Sequence, residues 1–214
     1  MYSRDVAGQV RNFEASGSLY HSALVMQDSA SDSYWAVISS EAIGGPDQGA
    51  TLEQLPISEK MTWGEWKARH PDTVILSVGG VEDVDSNPYE NYFNSDDTFK
   101  EMKTADTRLP NKAAVFTFHL DDRPFAVPHT AIEDGWSGDA AGVPIYLYRP
   151  SGSSIYRSTV ALRIAPDGPP PRLDPDTGIV DPSSSTPLEG VDSFWHIWST
   201  YNPETEVLGT GNSP

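Results

Sequence analysis

The side chains with the widest chemical reach in this chain are five histidines, His21, His70, His119, His129 and His196. They are its only neutral nitrogen ligands for a metal and its only side chains that ordinarily titrate near neutral pH. None stands two or four residues from another, the spacings that bring two imidazoles onto one ion locally. A shared site must therefore be composite, and the combination on offer is His119 and His129 on neighbouring strands with Asp121 and Asp122 beside them. His70, directly before Pro71, is the other histidine placed to bind; at a helix end its imidazole can equally bond the last carbonyls. The spacing favours hydrogen-bonded structural histidines over a metal centre, so no metal is assigned.

Other chemistries lack their residues. There is no cysteine, which removes thiolate ligands, disulfides and thiol nucleophiles. No Gly-x-Ser-x-Gly elbow, phosphate-cradling Gly-x-x-x-x-Gly-Lys or dinucleotide fingerprint occurs. Asp83, Asp85, Asn87 and Glu90 space oxygen atoms as in a calcium loop, but without its mid-loop glycine and closing glutamate. That leaves room only for weak binding of divalent cations. No cofactor is implied, and whether the chain is an enzyme stays open.

Thirty-one acidic residues against 14 basic ones give a net charge of −17. Such a surface repels nucleic acid and anionic lipid. With lysine scarce, it also suits high salt, where repulsion among carboxylates is screened, so a halophilic origin is expected. The first residues show no signal-peptide pattern and no apolar run is long enough to cross a membrane, which as written implies a cytoplasmic protein.

The elements that must position these groups are marked by a repeat. Trp63, Trp66, Pro71, Thr73 and Leu76 recur 132 residues later as Trp195, Trp198, Pro203, Thr205 and Leu208. Thr62 and Glu65 have capping-box spacing, the tryptophans share one helical face, and proline stops the helix. Val74 to Ser77 should leave as a buried strand. In the second copy Ser193 can cap, and Asn202 takes the place of His70. Each tryptophan pair is expected to anchor its helix on the core. Elsewhere, alternating segments between turns predict short antiparallel strands, including Ala114–Leu120, Pro124–Val127 and Val143–Tyr148. The stretch from Val10 to Met26 reads as a hairpin, residues 79–111 as a surface excursion pinned by aromatics, and 166–187 as a Pro- and Ser-rich connection. The expected fold is mainly β, a duplicated antiparallel sandwich or barrel-like domain with two short equivalent helices. Its parts are a partial first repeat (1–78), an irregular connection (79–112) and a second repeat (113–214), joined in one compact unit.

Gly17–Met26, Ser40–Pro46, Leu52–Pro56, Thr62–Thr73, Asn87–Tyr89, Tyr92–Ser95, Arg108–Pro110, Phe125–Pro128 and the second tryptophan motif together resemble the family called domain of unknown function 3179. The resemblance implies a duplicated architecture and, in many members, a Cys-Pro-Leu-Cys segment ahead of the first tryptophan motif, hence thiol redox chemistry. This chain has no such segment. The comparable stretch of its second half, Leu147–Gly152, carries Arg149 and Pro150 instead. The chain thus looks like a member short of its first half-repeat. A strand edge left unpaired near the N-terminus could then be covered by a second subunit. The leading expectation is a binding or protein-interaction module. The rival is a metal-binding or redox-related enzyme, or its thiol-less pseudo-enzyme, with a site between the repeats.

Overall fold

The computed structural model describes residues 2–55, 60–75, 89–165, 168, 171–172 and 185–211. Strand makes up 39% and helix 14%, so the chain is mainly β, and its sheets form no closed barrel among the described residues. A short hairpin of β1 (Asp5–Val6) and β2 (Gln9–Val10) precedes a four-stranded antiparallel meander. The meander comprises β3 (Phe13–Tyr20), β4 (Ala23–Asp28), β5 (Tyr34–Ala36) and β6 (Ala42–Gly44). A second sheet contains β7 (Ala114–Leu120) and β8 (Arg123–Pro128), flanked by β13 (Val191–Phe194) and β14 (Glu206–Val207). The third is β9 (Trp136–Ala140), β10 (Val143–Tyr148), β11 (Val160–Ile164) and β12 (Ser185–Pro187). All ladders are antiparallel except β8 with β14.

The predicted N-terminal hairpin exists, as β3 paired with β4. His21 and Ser22 hold positive φ (45° and 67°) between β3 and β4, while Gly17 falls where the ladder register shifts. Two successive left-handed residues match the twist of a two-residue hairpin turn. Asp121 and Asp122 do the same between β7 and β8 (49° and 62°). The polar stretch from Asp28 is a turn, with Asp28 Oδ1 accepting from the Ala30 and Ser31 amides at 2.8 and 2.9 Å.

The second and third sheets face each other as a sandwich. Phe116, Phe118 and Leu120 from β7 and Phe125 and Val127 from β8 meet Ile145 and Leu147 from β10 in one buried cluster. This follows from alternation along β7, whose even-numbered residues point to that core while Val115 and Thr117 point the other way. Their side is covered by α4 (Trp195–Tyr201): Trp195 and Trp198 are 0% and 2% exposed and pack with Val115 and Ala126. A separate cluster under the first sheet holds Val6, Trp35, Ala42 and Leu52. Beside it Arg11 bridges Asp28 (3.1 Å) and Asp47 (2.8 Å). Burial alone would raise the Asp28 carboxyl, but hydrogen bonds from Ser31, Ala30 and Trp35 outweigh it and hold it well below the carboxylate range.

Three further helices are short: α1 (Trp63–Arg69), α2 (Glu90–Phe93) and α3 (His129–Ile132). α2 sits on the predicted excursion, and Phe93 pins it against Tyr156 (5.2 Å) and Phe194 (6.1 Å) between ring centres. The capping box of α1 is formed, Thr62 accepting from the Glu65 amide and Glu65 from the Thr62 amide. Three expectations for the tryptophan motifs are corrected. Ser193 does not cap α4, whose N-cap is Phe194 with no side-chain bond, because residue 193 is still paired in β13. Trp63 and Trp66 are 46% and 38% exposed, so this pair anchors nothing in the core. Val74 and Ile75 are likewise exposed (90% and 51%) and form no strand, since among the described residues no hairpin lies against them as β7–β8 lies against α4. Residues 76 and 77, and the Asp83–Asn87 part of the calcium-like pattern, lie outside the described residues.

Candidate functional site

Among the described residues, buried charge is concentrated where β13, α3, the end of β10 and the approach to β11 converge. Asp192, on β13, turns a carboxylate with 7% exposure into this junction. Thr159 donates to it from its hydroxyl (2.6 Å) and its amide (3.1 Å). His129, first residue of α3, places Nε2 at 2.9 Å from Asp192 Oδ1. Arg149 Nη1 lies at 3.5 Å and Lys60 Nζ at 3.9 Å. Burial would raise the Asp192 carboxyl; hydrogen bonds from His129 and Thr159 and the charges of His129 and Lys60 prevail and hold it below the ordinary range.

Arg149 is 3% exposed and is spent within its own loop. Its guanidinium donates to the carbonyls of Arg157 and, at 2.8 Å, Ser154, and to the Thr159 hydroxyl at 3.3 Å. Burial lowers its affinity for the proton, with Asp192 opposing. A guanidinium remains charged under such a shift, so the junction is an ion-paired network built on one carboxylate.

Of the residues expected to bind, only His129 belongs to this network. His119 pairs its Nε2 with Asn202 Oδ1 at 3.1 Å and lies against Trp198. In the β7–β8 register residue 119 faces Pro124 near the turn, whereas His129 follows Pro128, the partner of Val115. The two imidazoles therefore sit toward opposite ends of one hairpin, about five residues or ~17 Å apart along the strand. Asp121 and Asp122 form the exposed turn. His70 is the C-cap residue of α1, its ring 4.1 Å from that of Trp66. His196 is buried and bonds the Asn111 carbonyl at 2.8 Å; burial lowers its imidazole against the pull of that carbonyl. Among the described residues, no three His, Asp or Glu side chains converge as metal ligands.

Sequence reasoning missed Asp192, Thr159 and Lys60. One signal was present: Asp192 is a lone charge in a short strand running straight into a buried tryptophan helix, a place that requires partners.

A second feature is an open cleft of about 380 Å³ between the β3–β4 turn and the end of α4, lined by Tyr20, His21, Glu41, Gln48, Thr200 and Tyr201. Tyr201 closes one side by donating to the Tyr20 carbonyl at 2.7 Å, and burial raises its phenol.

The third is α1 itself. Its C-cap, His70, has φ −130° and ψ 69°, and the C-cap of α4, Asn202, has φ −130° and ψ 71°. The amides of both cap residues bond the second tryptophan's carbonyl, at 2.8 and 2.9 Å, and both helices have seven residues. The turn after α1 is closed by its own groups: Trp66 Nε1 donates to Thr73 Oγ1 (2.9 Å) and Lys67 Nζ to the Thr73 carbonyl (3.1 Å). In α4 the Trp198 Nε1 finds no partner among the described residues, while Arg108 donates to the Thr205 carbonyl at 2.8 Å. The two motifs thus share a backbone and differ in what lies over their tryptophans.

No helix among the described residues is long and apolar enough to cross a membrane. Neither a curated protein nor a solved structure matches the chain. A family model described as "Protein of unknown function (DUF3179)" matches residues 1–205, which hold the first tryptophan motif and the second as far as Thr205, and the chain belongs to that family.

Proposed function

We propose that the chain is a protein-interaction module whose contact face is α1. The observation that carries this is the unequal burial of one motif used twice: 0% and 2% exposure for Trp195 and Trp198, against 46% and 38% for Trp63 and Trp66. Tryptophan is the side chain most enriched where binding energy concentrates, and two on adjacent turns with Val74 and Ile75 beside them make an apolar patch. The chain is read as an internal duplication in which only the second copy has its cover. The test is equilibrium urea unfolding of Trp63→Ala/Trp66→Ala. If α1 is a contact face, stability stays within about 0.5–1 kcal/mol of wild type, as for surface positions. A loss as large as that of a core tryptophan would make the pair structural and end this reading.

A second reading is supported by Arg149, which stands where the resemblance places redox cysteines. Its guanidinium is consumed by Ser154, Arg157, Thr159 and Asp192. On this reading the chain is a thiol-less pseudo-enzyme that keeps the site's frame through an ion-paired network. Stoichiometric metal in the purified protein, lost in Asp192→Asn or His129→Ala, would argue instead for a working metal site.

A further inference from the structure

We propose that the partner of the α1 face is an antiparallel β-hairpin of another polypeptide, docked as β7–β8 docks beneath α4. This rests on the reading of α1 as an interaction face and names what that face takes. The covered motif serves as the template. There Trp195 and Trp198 pack on Val115 and Ala126, one outward residue from each hairpin strand, and Glu206 and Val207 pair in parallel with Phe125 and Ala126. Displaced by the repeat spacing of 132, Glu206 and Val207 correspond to Val74 and Ile75, which have no ladder partner among the described residues. The face therefore offers both halves of a hairpin site: a tryptophan pair to cover the strands' outward side chains, and an extended segment able to add as a parallel edge strand.

The site is already shaped for this. The cap dihedrals of α1 match those of the covered helix within 2° in ψ, and the Trp66–Thr73 and Lys67–Thr73 bonds hold the turn without any cover. Docking then requires little reordering, which is the usual drain on affinity. A second copy of this chain is a poor occupant, because its β7–β8 is covered by its own α4 on one side and by the sandwich core on the other. Charge narrows the class further. α1 carries Lys67 and Arg69 in its last turn and Glu65 in its first, with Asp72 just after the cap, so the imidazole of His70 is the distinctive polar group of this face. The C-cap that meets His119 in the covered copy, Asn202, is replaced here by His70. The fitting hairpin therefore carries small or β-branched apolar residues on one face and an acidic or carbonyl group, not lysine or arginine, opposite His70.

The experiment attaches a second copy of residues 113–128, carrying His119→Asp to meet His70, to the full chain through a Gly/Ser linker of about 30 residues, with an r.m.s. span of roughly 30 Å. Tethering keeps the probe at high effective concentration, so it can fold as it docks. The readouts are hydrogen exchange at the Val74 and Ile75 amides and access of a soluble paramagnetic agent to the Trp63 and Trp66 indoles. The expected result is exchange slowed by about 10-fold or more with both indoles shielded. An added hairpin carrying Val115→Asp and Ala126→Asp should give neither effect. If the indoles are accessible in the unmodified chain and the His119→Asp hairpin leaves them so, the hairpin partner is refuted while the contact face stands. If they are shielded in the unmodified chain at all concentrations, the contact face itself fails. Shielding of the unmodified chain that grows with its concentration would make the occupant a second copy and overturn the proposal.

Discussion

Asp192 shows how much one side chain can organise. It is a buried carboxylate whose hydrogen bonds come from two other segments and whose charge is met by Arg149 and Lys60. Removing one member of a buried ion pair leaves the other uncompensated, so Asp192→Asn should cost about 3–5 kcal/mol in urea unfolding near pH 7. Because the folded-state pKa is depressed, this stabilisation is present above the unfolded value near 4 and is lost as pH falls through the folded value. The stability gap between wild type and Asp192→Asn should therefore close as pH drops from 7 toward the acid side of the carboxylate range. A gap unchanged by acid would show that the Asn variant suffers from packing and not from charge. None of this was legible from residue types alone. His129 could be picked out because histidines are few, but its partner lies 63 residues away on a strand whose register only the folded sheet sets.

At the scale of the element, the two tryptophan helices separate local from tertiary causes. The capping box, the shared tryptophan face and the stop at proline were readable because they depend on spacing within one or two turns. Strands such as Ala114–Leu120 and Val143–Tyr148 were readable for the same reason, their alternation being local. Burial was not readable, since it depends on whether a distant hairpin comes to lie beneath the helix. Trp195→Ala should therefore cost about 3–5 kcal/mol, as for deletion of a large buried aromatic. Trp63→Ala should stay within about 0.5 kcal/mol. Parallel urea titrations at one temperature make the comparison, and equal losses would contradict the difference in exposure. The turn between β3 and β4 was not legible for a related reason: the glycine at 17 sits at an irregularity of the ladder, which reverses at two non-glycine residues.

For the whole molecule, charge is the dominant sequence-level fact. A net charge of −17 opposes compaction through self-repulsion. Raising salt from about 0.1 M to about 1 M shortens the screening length from ~10 Å to ~3 Å, so the thermal midpoint should rise if this composition reflects adaptation to brine. A midpoint that is flat or falls over that range would count against a halophilic origin. The sandwich class could be anticipated from many short strands and turns, whereas the pairing of four strands into the second sheet could not. β13 and β14 join it from far along the chain, and one of them runs parallel to its neighbour.

That late closure bears on how the protein is made. Arg123 in β8 meets Glu206, its partner in the edge strand β14, only after 83 more residues have been added. At a synthesis rate of about 5–20 residues per second, roughly 4–17 s pass with the Val115 and Ala126 side of β7–β8 bare. During that interval the emerging polypeptide carries a sticky sheet face that its own last helix will eventually seal. Nascent chains arrested near residue 190 should accordingly recruit a chaperone or aggregate, and chains extended past residue 208 should not, in a ribosome-release assay with pelleting as the readout.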